Sequence, residues 1–255
     1  MGKIKLSTID TRGPKNWDKA EKKAETLKII EEITAYQKIL SATEKRSVLL
    51  VLQGMDAAGK DGTVRNIFKG INPTNCRVAA FKKPTELEFS HDFLWRVHQV
   101  VPKNGEIVVF NRSHYEDILV PTVGGYIDEK IIEKRYTHIN DFEELLEDHG
   151  TKIIKCYLHV SKDEQLERLT ERLDNPYKYW KHNDGDWETR EQWDEYMKVY
   201  ENIFDKCDKI PWNIIPADRN WVKVYSVAKL LRDALKEMNL DWPKLETERF
   251  KDKIV

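Results

Sequence analysis

The chain has 255 residues and a formal net charge of −1, with 34% charged residues, a length that suits one sizeable α/β domain with an insertion or two small domains. The near-neutral charge excludes a global basic field for nucleic acid, although a local basic channel stays compatible with it. The three cysteines, Cys76, Cys156 and Cys207, are isolated from one another. The sequence also has no apolar stretch of membrane-spanning length and no signal-peptide core. These features predict a cytoplasmic protein with reduced, buried thiols and no membrane partner.

The N-terminal segment predicts an arm followed by a helix. Residues 1–16 are polar and indicate an extended arm, and from Trp17 to about Leu40 apolar residues recur every three or four positions. That period is typical of an amphipathic helix laid on a core. We assign the arm and helix to about residues 1–42.

Five short apolar runs predict buried strands, and helical patterns separate them. This alternation favours βαβ units, with a parallel sheet covered on both faces. The runs are residues 48–53, 78–81, 107–110, 153–160 and 213–215.

A glycine loop follows the first predicted strand. The G-x4-G-K spacing of Gly54, Gly59 and Lys60, with a strand before it and a helical pattern after it, is typical of a phosphate-binding P-loop. Lys60 would bind phosphate oxygens as a point charge; the other interpretation is a glycine turn with a solvated lysine. The predicted loop residues are Gly54, Asp56, Ala57, Ala58, Gly59, Lys60, Asp61, Gly62 and Thr63.

Two aspartates distinguish this loop from an ordinary P-loop. Asp61 stands where a Ser or Thr hydroxyl usually binds magnesium, and Asp56 adds a carboxylate to a loop whose N–H groups attract anions. Two carboxylates repel a phosphate unless a divalent cation lies between them. We therefore predict a metal-bridged, strongly anionic phosphate substrate, with Mg²⁺ as the metal and Mn²⁺ as a substitute.

The third predicted strand ends in a second group of candidate residues. P-loop enzymes usually hold magnesium with an Asp at this strand end, but the residue here is Asn111, so Asp117, with Glu116 beside it, would supply the carboxylate. Arg112 can bind a phosphate with two parallel hydrogen bonds and stabilise charge during transfer. Alternatively, Glu116 and Asp117 are ordinary first-turn helix residues, and the spacing does not choose between these interpretations.

A set of cations surrounds the predicted loop. Arg65 and Lys69 are four residues apart and would share one face of the P-loop helix, while Lys82 and Lys83 would end the second strand. A chain of phosphates needs such a track of cations, as a nucleic-acid backbone does. The competing interpretation is a solvated charged face, which is the better one for Lys69. Arg96 is a further candidate phosphate contact, within a cluster typical of a helix with one packed face.

The segment between the last two strands predicts a mobile lid over about residues 165–190. Residues 161–164 form a capping box for a helix over about 162–173, a polar aromatic loop follows, and further helices are predicted over about 187–205 and 221–238. Closing the lid cations over a phosphoryl group would exclude water and favour transfer over hydrolysis; the alternative for Arg168 is an ion pair with Glu164. The lid cations are Arg168, Arg172, Lys178 and Lys181.

Together these motifs resemble the polyphosphate kinase 2 family. The matching pieces run in the family's order from about residue 15 to 240. They are residues 54–62, 91–96, 105–117, 175–181 and 216–218.

The resemblance implies a thymidylate-kinase-like P-loop fold, a three-layer α/β/α domain over residues 1–255 with a five-stranded parallel sheet and a helical lid. It implies reversible, Mg²⁺-dependent transfer of the terminal phosphoryl group of inorganic polyphosphate to AMP and/or ADP, forming ADP and ATP, with GMP and GDP as further acceptors. The motif that begins at Asn111 is most similar to that of the subgroup that accepts both nucleoside mono- and diphosphates. We also expect a homo-oligomer, a dimer or a tetramer, and no nucleic-acid partner.

The resemblance also implies roles for individual residues. Asp56 and Asp117 match the family's essential acidic residues, and Lys60 and Arg112 match phosphate binders. Asp56 would hold the metal, and Asp117 would share it or orient the acceptor phosphate. Arg172, Lys178 and Lys181 match lid contacts.

We expect in-line transfer without a covalent enzyme intermediate, because no Ser, Cys or His has the setting of a nucleophile. Two alternatives stay open. One is an ATP-dependent P-loop kinase of a nucleoside or other small metabolite. The other is a non-catalytic nucleotide sensor with a degenerate site, suggested by Asn111 and Asp61.

Overall fold

A five-stranded parallel sheet forms the centre of the computed structural model, which describes residues 3–246. The strand order is β2-β3-β1-β4-β5, and the predicted strands are confirmed to within two residues at each end. Every residue of β1 is buried, as expected for a central strand covered on both faces. The strands are β1 (Ser47–Gln53), β2 (Cys76–Ala80), β3 (Ile107–Asn111), β4 (Thr151–His159) and β5 (Trp212–Pro216).

Helices connect the strands and cover the sheet. α1 packs along α10, which also contacts β4 and β5, while α6 packs on β4 and α5 on α9. The helices are α1 (Lys19–Thr43), α2 (Lys60–Ile67), α3 (Glu86–Phe89), α4 (Trp95–His98), α5 (Glu116–Gly124), α6 (Glu129–Asp148), α7 (Lys162–Asp174), α8 (Asp184–Glu191), α9 (Trp193–Lys206) and α10 (Asn220–Glu237).

The single helix predicted over about 187–205 is wrong, because the chain forms two helices, α8 and α9, that meet at Gln192. The two helices are attached to different parts of the molecule. The Tyr200 ring of α9 packs on Tyr157 of β4 at 4.6 Å, whereas Asp186 of α8 pairs with Arg172 of α7. The chain bends between these two attachments.

The N-terminal arm is anchored to the carboxyl end of the sheet. A 3-10 helix (Leu6–Thr8) interrupts it, and Leu6 is buried. The Leu6 carbonyl accepts a hydrogen bond from His159 at 3.1 Å, and the Thr11 hydroxyl donates to Asp218 at 2.6 Å. Predictions for residues 1–2 and 247–255 lie outside the described residues.

The three cysteines agree only in part with the prediction of buried thiols. All three cysteines are free, and Cys156 and Cys207 are buried as predicted, whereas Cys76 on the edge strand β2 is only half-buried. Between residues 3 and 246, no helix is long and apolar enough to cross a membrane.

Candidate active site

The order of the strands brings the two predicted motifs together. β1 pairs with β3 on one side and with β4 on the other, so the loop after β1 lies beside the Asn111–Arg112 segment after β3. Two polar contacts join the motifs: Arg112 pairs with Asp56, and the Asn111 amide donates to the Asp61 carboxylate at 2.6 Å. Both aspartates of the loop thus contact the end of β3.

The P-loop lysine is turned onto its own loop. Lys60 donates from Nζ to the carbonyls of Gly54 at 2.7 Å and Met55 at 3.3 Å. Burial lowers the pKa of Lys60, and the positive charge of Arg112 lowers it further. Because Lys60 is held only by neutral carbonyls, a bound phosphate would offer it a stronger, charge-assisted partner.

Arg112 stands at the centre of the site in a strained conformation. Its φ of 62° lies in the left-handed region, which costs energy for a residue with a Cβ and is concentrated at functional sites. Its guanidinium contacts Asp56 and lies 4.0 Å from Glu116, which accepts a hydrogen bond from Gln53 at 3.0 Å. Although burial opposes the charge, Glu116 and Asp56 raise the pKa of Arg112.

Asp117 forms an ion pair of its own. Its carboxylate accepts a hydrogen bond from Arg96 at 2.8 Å, and Arg96 also donates to the Lys82 carbonyl at 2.9 Å. Burial raises the pKa of the Asp117 carboxyl, against the opposing effect of Arg96. Arg96, a candidate phosphate contact from the sequence, therefore already has an anionic partner, while both residues line the same cleft as Asp56.

The acidic residues fit a magnesium ion that arrives with a phosphate. Asp56 and Glu116 both approach the Arg112 guanidinium, so two carboxylates surround one cationic position. Magnesium is usually held by one or two carboxylates together with substrate phosphates rather than by an all-protein cage. Residues 3–246 contain no cluster of three or more His, Cys, Asp or Glu that could hold a metal by themselves. The role of Asp117 as a metal ligand stays a prediction.

A cleft of about 820 Å³ opens beside these charged groups. Its charged lining includes Asp56, Lys82, Lys83, Arg112 and Asp117, so the cleft is continuous with the site. Its apolar lining includes Phe81, Phe89, Phe93, Val120, Pro121 and Tyr126. Such a mixture of apolar surface with a few charged groups is typical of a small-molecule site.

The predicted track of cations is only partly assembled. Lys82 and Lys83 lie just beyond β2 and line the cleft. Arg65 and Lys69 are both exposed, and the prediction that they share a helix face is wrong, because α2 ends at Ile67 and Lys69 lies beyond it.

Arg168 is not free to act as a lid cation in this conformation. It pairs with Glu164 at 2.9 Å, as the alternative interpretation required, and its other nitrogens donate to four carbonyls at 2.8–3.2 Å. The acceptors are the carbonyls of Ala57, Ala58, Ala217 and Asp218. Arg168 thus ties the P-loop to the segment after β5.

The remaining lid cations have local partners. Arg172 pairs with Asp186, Lys178 with Glu171, and Lys181 lies over the Trp180 ring at 5.0 Å. The lid reaches the cleft through α8 and the residue before it, by way of Asn183, Gly185, Asp186, Glu188 and Thr189. Burial raises the pKa of Asp186, and the charge of Asp56 raises it further.

Sequence reasoning missed a buried polar network behind α5. Lys155 of β4 donates to Glu143 at 2.7 Å, to the Tyr115 hydroxyl at 2.9 Å and to the Cys207 carbonyl at 2.9 Å. Glu143 also accepts from Tyr115 at 2.7 Å and contacts His114 at 3.1 Å. His114 and Tyr115 directly precede Glu116 and Asp117, so the network supports the turn that carries the acids. The available signal was Lys155 between the apolar pairs Ile153–Ile154 and Cys156–Tyr157 of β4.

Comparison with known proteins identifies the family. The family model for polyphosphate kinase 2 matches residues 5–243. The chain belongs to the polyphosphate kinase 2 family. The recognition made from the motifs is confirmed, and the chain is a member of a family of phosphotransferases.

Relatives within the polyphosphate kinase 2 family match most of the chain. An AMP/ADP-polyphosphate phosphotransferase of Meiothermus ruber is 49% identical over 213 residues, which cover 83% of this chain and 80% of the relative. An ADP-polyphosphate phosphotransferase of Rhodopseudomonas palustris is 37% identical over 237 residues, covering 88% and 82%. The crystal structure of polyphosphate kinase 2 from Arthrobacter aurescens superposes with a TM-score of 0.93 at 40% identity, covering 97% of this chain and 90% of that one. The predicted P-loop kinase fold is confirmed.

Proposed function

We propose that this chain transfers the terminal phosphoryl group of inorganic polyphosphate to AMP and to ADP, reversibly and with Mg²⁺, forming ADP and ATP. The observation that carries the proposal is the pairing of Asp56 with Arg112 at one cleft, beside a P-loop whose Lys60 donates to the cleft-lining residues Gly54 and Met55, in a chain of the polyphosphate kinase 2 family. The relative that is 49% identical is named for both acceptors.

The chain's own residues would act by positioning and by neutralising charge. Lys60 would leave the carbonyls of Gly54 and Met55 for a phosphate, and Arg112 would exchange Asp56 for phosphoryl oxygens. A Mg²⁺ ion held by Asp56 and Asp117 would supply further charge neutralisation on the phosphates. The acceptor is already a phosphate oxyanion, so no strong general base is required of these residues.

The cleft supports a nucleotide as the acceptor. Phe81, Phe89 and Tyr126 contribute aromatic surface to a cleft that also contains Lys82 and Arg112. Aromatic stacking is tolerant of the base, because every base has a π-face. We therefore propose AMP and ADP as acceptors, with GMP and GDP as further ones.

Several features of the whole protein belong to the same proposal. We propose a single P-loop kinase domain with a lid at about residues 165–190, supported by the one sheet of the described chain and by α8, which lines the cleft. We also propose a homo-oligomer, a dimer or a tetramer, that acts in the cytoplasm. The free cysteines support that compartment.

A product time course tests the proposal. Purified protein is given polyphosphate, AMP and Mg²⁺ without ATP, and nucleotides are separated by chromatography. We expect ADP first and ATP second, loss of both with a chelator, and recovery with Mg²⁺ or Mn²⁺. Activity with ATP as the only donor would support a metabolite kinase instead, and nucleotide binding without turnover of any donor and acceptor pair would support a sensor.

A further inference from the structure

The carbonyl side of the P-loop is held by three side chains from outside the loop. We call Gln165, Arg168 and Lys223 the loop clamp. Gln165 and Arg168 belong to α7 and Lys223 to α10. Gln165 and Lys223 are 0% and 1% exposed, so these side chains face the protein interior behind the loop.

Each member of the loop clamp donates to a backbone carbonyl. Gln165 donates to Asp56 at 3.1 Å, and Arg168 to Ala57 at 3.0 Å and Ala58 at 3.2 Å. Lys223 donates to the same Ala58 carbonyl at 2.7 Å and to the Asn220 side chain at 3.1 Å. Three consecutive carbonyls of the loop are therefore occupied from one side.

Keeping Lys223 at this position is energetically unfavourable. Burial lowers the pKa of Lys223 to about 7, and the charges of Arg168 and Lys60 contribute to the shift. An apolar side chain would fill the same space without burying a charge. The contact with the Ala58 carbonyl is the specific interaction that a lysine supplies here and an apolar residue does not.

The contacts of the loop clamp fix the direction of the loop's N–H groups. In a trans peptide the C=O and the following N–H point in opposite directions, and the described chain has no cis peptide bond. Holding the Asp56 and Ala58 carbonyls turns the N–H groups of Ala57 and Gly59 away from the clamp. Such backbone N–H groups are what a P-loop offers to a phosphate.

Gly59 lies in close contact with the end of the Lys223 side chain. Its φ is 95°, and a Cβ built there would lie 2.1 Å from the Lys223 Nζ. A glycine is therefore required by the backbone conformation, and a Cβ at this position would displace the Lys223 ammonium group. The P-loop backbone at Gly59 and the Lys223 side chain are therefore closely packed against each other.

We propose that Lys223 is a positioning residue for phosphate binding, which acts with Gln165 and Arg168 by holding the P-loop carbonyls so that its N–H groups are preset for the ligand. This inference rests on the proposed function of the P-loop as a phosphate site. It assigns a part in binding to α10, although no residue of this helix lines the cleft.

The Lys223→Met variant tests the inference, because methionine keeps an unbranched side chain only one atom shorter than that of lysine and removes the donor. Calorimetry with inorganic tripolyphosphate gives the dissociation constant, and steady-state kinetics with polyphosphate and ADP give KM and kcat. We expect Kd and KM to rise by about tenfold, the factor for a loop that is in its binding arrangement about a tenth of the time, while kcat stays within about threefold. Lys223→Gln, a shorter donor, should give intermediate values.

The matched control is Leu231→Ala, which removes a buried side chain about two turns further along the same helix than Lys223. It should lower the melting temperature but leave Kd within about twofold of wild type, because a cavity affects stability rather than the loop. Unchanged Kd and KM in Lys223→Met would overturn the inference, as would a fall in kcat alone.

A second variant keeps the inference testable if Lys223→Met does not fold. Gln165→Leu removes the donor to Asp56 from the other helix, and the same rise in Kd is expected; an unchanged Kd there would overturn the inference. The proposed function is judged separately by wild-type turnover of polyphosphate with ADP. The binding measurement requires no turnover, so failure of one proposal is distinguishable from failure of the other.

Discussion

The carboxylate of Asp56 and the guanidinium of Arg112 form an ion pair across the ends of two neighbouring strands, β1 and β3. The pair holds opposite charges at the position where a phosphate and its metal are proposed to bind. Arg112 keeps a left-handed backbone conformation there. This indicates that the contacts of the site, rather than the backbone preference of an arginine, determine where the Arg112 side chain lies.

Asp56→Asn is expected to abolish phosphoryl transfer while keeping the fold. The amide retains a hydrogen-bond acceptor for Arg112 but loses the charge that a metal requires, so kcat should fall by about 100-fold or more, in the range seen when one charge-stabilising group is lost. A luciferase assay of ATP formation measures the loss, and the melting temperature checks the fold. Asp148→Asn, at an exposed site on α6, is the control. Near-normal activity of Asp56→Asn would exclude the metal role.

Arg112→Lys is expected to lower kcat/KM by about 10- to 100-fold, and Arg112→Ala by about 1000-fold. Lysine keeps the positive charge but loses the planar fork that binds two phosphate oxygens at once, whereas alanine also loses the charge that stabilises transfer. Initial rates at varied polyphosphate concentration give the values. Equal activities of the wild type and Arg112→Lys would show that the fork is unnecessary.

Glu143→Gln is expected to lower the free energy of unfolding by about 3–5 kcal/mol, because it leaves Lys155 as a buried charge without an anionic partner. Urea denaturation measures the change. The double variant Glu143→Leu/Lys155→Met, which removes both charges, should be more stable than Glu143→Gln; a double variant that is less stable would contradict this account.

The contribution of Glu143 and its partners to the free energy of unfolding depends on pH, and its sign follows from the pKa of Glu143. Burial raises the pKa of Glu143, but Lys155 and His114 outweigh burial and hold it below the ordinary value of 4.5. A carboxyl with a lowered folded-state pKa stabilises the fold above its unfolded pKa, and this contribution is lost as pH falls. The stability difference between wild type and Glu143→Gln should therefore shrink below about pH 4.5.

The lowered pKa of Lys223 predicts that the free energy of unfolding depends on pH above about pH 7. Its pKa falls from 10.5 to about 7 in the folded protein because of burial. Between these values the unfolded chain binds more protons, so the free energy of unfolding rises with pH, by up to about 1.4 kcal/mol per pH unit. Below about pH 7 both states are protonated and the dependence disappears.

Urea denaturation of wild type and Lys223→Met at pH 6.5 to 8.5 measures this effect. The stability difference should shift toward the wild type by about 1–2 kcal/mol across the interval, since methionine removes the titrating group and leaves the others in place. Parallel pH curves for the two proteins would show that Lys223 keeps an ordinary pKa.

Local patterns were sufficient for most of the fold. A strand that is buried on both faces is a continuous apolar run, and a surface helix repeats every three or four residues, so each can be recognised without knowing its neighbours. The exceptions have physical causes outside the segment itself. The bend between α8 and α9 depends on partners in α7 and β4, and the early end of α2 places Lys69 beyond the helix.

In the candidate site, too, some features could be predicted from local sequence patterns and others could not. The sequence by itself determined that a P-loop with two aspartates and an Asn-Arg strand end exist in this chain, because those residues are contiguous. Only the tertiary structure decided which polar groups meet: Asp56 with Arg112, Asp117 with Arg96, and Arg168 and Lys223 with the P-loop carbonyls. The partners in these contacts are chosen by strand order and helix docking across 21 to 165 residues of chain, and no local pattern carries that information.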